Sequence, residues 1–407
     1  MSRYEMLDEL DLPFPLGGCI GYWGYDLKNF VEPRLSRRAL NDLELPDCHV
    51  GFYGSLVVFD HRLGKTWVVA TGLDADGSRQ DDRAEEQLAF WSNLLSSEPL
   101  PACSPSPNQI ERGVRGEASC SSNLSRAEFI AQVQRAQAYI RAGDIYQVNL
   151  SQRLSAPLPC SAWRLFERLS AVSPAPFSAY LDCGDSQIVS SSPELFLRLS
   201  GSHIQTRPIK GTRPRSADPM RDTQLTYELQ TSAKEMSELV MITDLLRNDL
   251  GKVCEYGSVQ VPELVRLERF PQVQHLVSTV EGRLRDDITH FAAFASCFPG
   301  GSVTGAPKIR AMEIIDELEP VTRGPYTGAL GYLGFNRESQ LSITIRAAVC
   351  KDHSTWFHAG AGIVADSDPL AEYAETLAKA HGFLQALEIE SRSVRVLSQY
   401  HANDVQT

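Results

Sequence analysis

The chain has 407 residues, 43% of them hydrophobic and 22% charged, enough apolar material to bury a core without a partner's help. A formal net charge of −12 argues against a nucleic-acid binder, which needs a basic surface to neutralise phosphates. No apolar run nears the roughly 20 residues that cross a bilayer, and residues 1–16 lack the basic start and apolar middle of a signal peptide, so no membrane partner and a cytosolic address are expected.

Taken in chain order, residues 1–95 read as an N-terminal sheet region. Glycines and aromatics interleave from Gly17 to Asp26, and short strand-like runs follow at Leu56–Phe59 and Trp67–Val69. From 96 to 122 the chain turns to Pro, Ser, Gly and charge without periodicity, which predicts a linker or mobile loop. A larger unit over 123–392 and a tail over 393–407 complete the division. Ser125 with Glu128 three residues on predicts a capped helix start, and Phe129, Val133, Ala136 and Ile140 follow at helical spacing until Gly143 stops it. Strands are predicted at 148–154, 177–181, 187–191, 196–199, 328–333, 341–349 and 355–359, and helices at 221–250, 308–318 and 369–388. The mixture predicts an α/β or α+β fold with helices packed on mostly antiparallel sheet.

Several segments could carry chemistry. Glu235 with Glu238, and Glu372 with Glu375, lie three apart in predicted helices, so each pair shares a helical face. Such carboxylates suit Mg2+, and the spacing equally fits a solvated acidic face with Glu375 paired to Lys379. The run Phe298–Lys308, rich in glycine, precedes an apolar helix and could present backbone N–H groups to an anion, or be a tight turn; it is not a Walker loop. The run Ala359–Ser367 fails the dinucleotide spacing at Ala365. Lys210, between Ile209 and Gly211, is either a nucleophile in a dry pocket or a lysine of a basic loop. His275 is either an acid–base group or a hydrogen-bonded core histidine. Nine cysteines without a C-x-x-C pair read as reduced thiols.

The order and spacing of these segments resemble the chorismate-using enzymes. The resemblance rests on Ser192-Pro193-Glu194, Pro208 to Thr212, Glu238 through Asp249, His275 to Ser278, Pro299 to Lys308, Arg323 to Tyr326, Ile343 to Arg346, and Gly360 to Lys379. It covers residues 120–390 strongly and the N-terminal part more loosely, where the glycine–aromatic segment lies further into typical relatives and a shortened N-terminal stretch is expected. The resemblance implies a two-sheet sandwich with outer helices that holds one Mg2+ and one chorismate. It assigns the metal to Glu238 and Glu375, with Glu235 and Glu372 close by. It assigns the substrate to Tyr326, Arg346, Gly362, Lys379 and Ser302, with Thr212 and Gly360 from the same motifs, and places His275 nearby.

Within the family, the water-adding isochorismate and salicylate synthases carry a lysine base where this chain has Gln147, which cannot act as one. Anthranilate synthases carry alanine where this chain has Lys210, and that lysine resembles the mark of the aminodeoxychorismate synthases. The implied roles are Lys210 as a covalent nucleophile and Glu194 as the acid for the leaving hydroxyl. Ammonia is expected from a separate glutamine amidotransferase subunit, since no Cys-His-Glu module is recognisable here. Ser173 to Phe177 resembles a family amino-acid site, so tryptophan in an N-terminal pocket is a further expected ligand. The competing readings are an anthranilate-type synthase and a non-catalytic relative that binds an amino acid or a partner.

Overall fold

Period-two alternation decides which sheet face can hold a polar ligand. In the strand Gln147–Pro157, Val148, Leu150 and Leu154 are fully buried against helices, while the intervening positions are Gln147, Asn149, Ser151 and Arg153. Its neighbour Ser354–Ile363 repeats the pattern, with Phe357, Ala359, Ala361 and Ile363 on the helix side and His358, Gly360 and Gly362 on the other. Each buried Val, Leu or Phe contributes roughly 1.5–3 kcal/mol, so one face of this sheet suffices to hold helices Arg126–Ala142, Ala162–Val172, Lys308–Leu318 and Pro369–Ala386. The polar face is left for the space between sheets.

The computed structural model describes residues 2–6, 12–97, 119–270, 272–389 and 394–396. Two sheets dominate. The larger runs in the order 209–214, 273–283, 203–207, 195–200, 338–343, 329–334, 18–23 and 48–53, with 260–269 also paired to 273–283. The second runs 394–396, 120–122, 147–157, 354–363, 347–351, 187–192 and 177–182, with Gly305–Ala306 on 147–157. Described pairings within both are antiparallel except that of 394–396 with 120–122. A hairpin, Ser55–Asp60 with Lys65–Ala70, stands apart. The two-sheet sandwich expected from the motifs is what the chain forms, and Gly18–Trp23 and Cys48–Tyr53 belong to its larger sheet. Of the stretch 96–122 expected as a linker, 98–118 lies outside the described residues and Cys120–Ser122 is a strand; most of the tail 393–407 also lies outside. No described helix is long and apolar enough to cross a membrane, and the eight described cysteines are free.

Two predicted elements are corrected, and both corrections locate the site. The single strand expected over 341–349 is two. Glu338–Ile343 pairs with Leu195–Ser200 in the larger sheet, and Ala347–Lys351 pairs with Gln187–Ser192 in the other. Strand-switching corners of this kind join packed sheets. Here two neighbouring strand pairs cross together, through Ser192-Pro193-Glu194 and Thr344-Ile345-Arg346, cross-linked by Ile343 N–H to Glu194 O at 3.1 Å and Ser191 N–H to Arg346 O at 2.9 Å. The turn at Arg346 takes φ of 47°.

The helix expected over 221–250 is also two, Pro219–Gln230 and Ala233–Gly251. Ser232 caps the second, accepting from Glu235 N–H, a contact usually worth about 1 kcal/mol. The break puts Glu235 in a first helical turn, as Asp368 does for Glu372 in Pro369–Ala386. Carboxylates are favoured there by the helix dipole.

Candidate active site

Lys210 enters the site from the edge strand Ile209–Pro214. The register with Val273–Arg283 slips between Lys210, opposite Leu276, and Thr212, opposite His275. Gly211 fills the bulge at φ of 73°, where a Cβ would stand 2.7 Å from Leu229 and 3.2 Å from Glu235, so no other residue fits without displacement. Lys210 Nζ lies 3.8 Å from Glu238 Oε2, and its side chain is only 13% exposed. The basic-loop reading therefore fails for this residue. His275 is buried, with Nδ1 2.8 Å from Thr212 Oγ1. Burial, then the Arg346 charge, pushes its pKa down to about 4, so it is neutral at physiological pH and unsuited to act there as an acid.

The sheet corner carries an acid and a cation. Glu194 is buried, and burial raises its carboxyl to about 7 against the pull of a Ser302 hydrogen bond, the Lys210 charge and the Ile209 backbone N–H. A carboxyl half protonated near neutrality is a usable general acid. Arg346 is largely desolvated, which lowers its pKa, and its guanidinium has no hydrogen-bond or ion-pair partner among the described residues. A charge so placed calls for an anionic ligand.

The four glutamates are each engaged by a cation of the chain. Lys210 faces Glu238, Arg213 lies 3.4 Å from Glu235, Lys379 lies 2.7 Å from Glu375, and Lys234 lies 3.3 Å from Glu372. The expected surface pair of Glu375 with Lys379 is thus present, with both side chains half exposed. Burial raises Glu238, whereas at Glu375 the upward push of burial is outweighed by Lys379, Lys234 and Lys210. Among the described residues no three His, Cys, Asp or Glu side chains converge closely enough to hold a metal ion. The donors nevertheless fit Mg2+ in kind. All are carboxylate oxygens in the first two turns of helices joined by the Lys234–Glu372 ion pair, and Glu372 Oε2 is a buried acceptor with no donor among the described residues.

Tyr326, Gly360, Gly362 and Lys379 close the other side. Lys379 Nζ donates to Gly360 O at 2.9 Å, and a Cβ on Gly360 would come within 2.8 Å of Tyr326 Oη. A Cβ on Gly362 would meet the Gln147 amide at 2.8 Å, and both polar atoms of that buried amide lack partners among the described residues. Tyr326 stacks on His358 with centroids 4.9 Å apart, and Arg323 lies 5.7 Å from its ring. Arg323 is the residue the sequence reading left unassigned. Buried, it donates to Glu319, Thr327 Oγ1, Val303 O and Asn149 O, tying the Tyr326 turn to the polar strand. Lys308 does not join the site: it donates to Asp249 and to Cys297 O, anchoring its glycine-rich loop to the helix of Glu238. Thr212 is exposed, at the rim beside His275. Ser173 to Phe177 leads into the edge strand Phe177–Asp182, with Ser173 O accepting from Ser191 Oγ.

Two mainly antiparallel sheets exchanging strands around an acid, an arginine without a partner among the described residues, and paired glutamate helices describe one class of protein. Residues 3–385 match the family described as chorismate binding enzyme, and the chain belongs to that family. It is 43% identical over 378 residues to aminodeoxychorismate synthase component 1 of Salmonella typhimurium, covering 93% of this chain and 78% of that protein. Over 381 residues it is 45% identical to anthranilate synthase component 1 of Thermus thermophilus, covering 93% and 79%. The crystal structure of anthranilate synthase component I from Streptococcus pneumoniae has the same fold, with a TM-score of 0.80 at 33% identity over 94% of this chain and 83% of that one. The resemblance read from the motifs holds along the chain, with anthranilate synthases standing as near as aminodeoxychorismate synthases.

Proposed function

We propose that the chain is the chorismate-aminating component of an aminodeoxychorismate synthase, forming 4-amino-4-deoxychorismate for para-aminobenzoate and folate synthesis. The observation that carries this reading is Lys210, held at 13% exposure against Glu238 and close enough to lower the buried Glu194. Arg346, Lys379 and Tyr326 supply the cationic and hydroxyl contacts for the substrate carboxylates, with Gly360 and Gly362 leaving room for them. Bound Mg2+, held by Glu238 and Glu375 with Glu235 and Glu372 beside them, would anchor and polarise a substrate carboxylate.

The Lys210 amine adds to C2 of chorismate, both conjugated ring double bonds shift by one position toward C4, and the C4–O bond breaks. The hydroxyl leaves as water with the proton from Glu194. With C2 blocked, ammonia adds at C4, both double bonds shift back, and the C2–N bond breaks to free the Lys210 amine. The new ammonium returns one proton to Glu194. His275, neutral and hydrogen-bonded to Thr212, positions the Lys210 strand beside Arg346.

Ammonia is proposed to come from a glutamine amidotransferase subunit in the cytoplasm, and tryptophan is proposed as a ligand beside Ser173 to Phe177. The second reading is an anthranilate synthase, favoured by the slightly higher identity to the Thermus enzyme. Incubation with chorismate, Mg2+ and an ammonium salt at high pH, with mass and fluorescence analysis, separates them. The proposal expects 4-amino-4-deoxychorismate, with glutamine substituting only when an amidotransferase subunit is added. Fluorescent anthranilate would overturn it.

A further inference from the structure

The ion pair of Lys234 with Glu372 joins the two glutamate helices directly. Lys234 belongs to Ala233–Gly251, one residue before Glu235 and four before Glu238; Glu372 belongs to Pro369–Ala386. The partners are unequal: the Glu372 side chain is 3% exposed and that of Lys234 is 51% exposed. Lys234 Nζ and Ser367 Oγ, the latter at 2.7 Å, both donate to Glu372 Oε1, which leaves Oε2 buried and without a donor among the described residues. The charges of Glu238 and Glu375 also act on the ammonium, so it sits in the field of three of the four carboxylates assigned to Mg2+.

We propose that Lys234 is a built-in competitor for the divalent-cation site, occupying the anionic gap between the two glutamate helices and swinging into solvent when a metal ion takes its place. The proposal rests on the metal reading given under the proposed function. An ammonium is a compact, strongly hydrated point charge on a flexible stem, so it can stand where a hard cation stands and leave by rotation of its own side chain. Ammonium and metal cannot both fill the gap. The other pairs do not have this character. Lys379 and Glu375 are both half exposed, a kind of pair that holds weakly, and Arg213 makes its other hydrogen bond to the backbone of Thr212. Only Glu372 is both buried and left with an unused oxygen among these four acceptors. Lys234 thereby keeps a buried carboxylate neutralised before metal arrives, and makes the site weaker for metal than its four carboxylates would otherwise be.

The test is metal binding by the full chain, read without turnover. Mn2+, an oxygen-seeking ion, is titrated into protein alone, and the free ion is counted by its electron paramagnetic resonance signal. Lys234→Gln should bind about tenfold more tightly than wild type, about 1.4 kcal/mol at 25 °C. Lys234→Arg should stay within about threefold of wild type, because it keeps the competing charge. Arg247→Gln, which removes an exposed charge further along the same helix, should change affinity by less than twofold, and so separates contact from net charge. A second measurement needs no variant: acylation of the Lys234 amine in wild type, read by peptide mass spectrometry, should speed at least threefold on saturation with Mn2+. Unchanged or weaker binding by Lys234→Gln, equal tightening by Arg247→Gln, or an unchanged acylation rate would overturn the competitor while leaving the metal site intact. Wild-type protein that binds no Mn2+ at concentrations of about 10 mM would overturn both.

Discussion

Replacing Glu194 by Gln should stabilise the protein while disabling it, and the size of the gain follows from the site. Burial holds the folded-state carboxyl at about 7 against 4.5 for a free side chain. Between those values the unfolded chain has lost its proton and the folded chain keeps it, so wild-type stability falls as pH rises from about 4.5 to about 7 and is level beyond. A gap of about 2.5 pH units at about 1.4 kcal/mol each gives about 3 kcal/mol. The neutral glutamine lacks that penalty and can keep the Ser302 contact. Urea unfolding of both proteins at pH 4.5, 6 and 8.5 should show no advantage for Glu194→Gln at the lowest pH, growing to about 3 kcal/mol at the highest. Turnover should drop at least 100-fold, the scale of a lost general acid. An advantage independent of pH would refute the reasoning, because the cost of the buried charge would then not be the cause.

Arg346→Gln should raise KM for chorismate about 100-fold, the scale of a charge-assisted hydrogen bond, without lowering the melting temperature, since its guanidinium has no partner among the described residues; steady-state kinetics and thermal melts check both. Glu238→Gln and Glu375→Gln should each lose at least 100-fold in activity with unchanged circular dichroism, and excess chelator should abolish wild-type turnover; full activity in chelator would contradict the metal assignment. Arg323→Lys should keep the charge but lose the forked contacts to Glu319, Asn149 O and Val303 O, costing about 2–4 kcal/mol in urea unfolding and raising KM through the displaced Tyr326.

Motifs with a local cause were legible in the chain. The capping box of Ser125 and Glu128 and the end at Gly143 stand as expected, because both are set by a few adjacent residues. The strand over 341–349 misled because Leu341, Ile343, Ile345 and Ala347 continue one alternation through the corner, and only pairing across two sheets reveals the switch at Arg346. The helix break at Ser232 left a weak signal, a serine three residues before Glu235. Strands Gln260–Arg269 and Val273–Arg283 gave little: the second is buried on both faces from Gln274 to Val280, which erases the period of two. Helix Asp81–Ser96, without a buried residue, was not predicted although Ala84, Leu88, Trp91 and Leu95 recur at helical spacing. The candidate site residues were assigned through spacing shared with a family. Lys234 and Arg323 had no assignment there, and their partners, Glu372 and Asn149, are separated from them by more than 100 residues.

The central claim is that Lys210 becomes covalently attached to the substrate ring. Intact-protein mass spectrometry after incubation with chorismate and Mg2+, with ammonia withheld, reads this directly. The account predicts an added mass equal to chorismate less one water, mapping to Lys210 and absent from Lys210→Ala, which should also fall by orders of magnitude in C4 amination or divert ammonia to C2. Wild-type protein without an adduct, together with normal 4-amino product from Lys210→Ala, would contradict it.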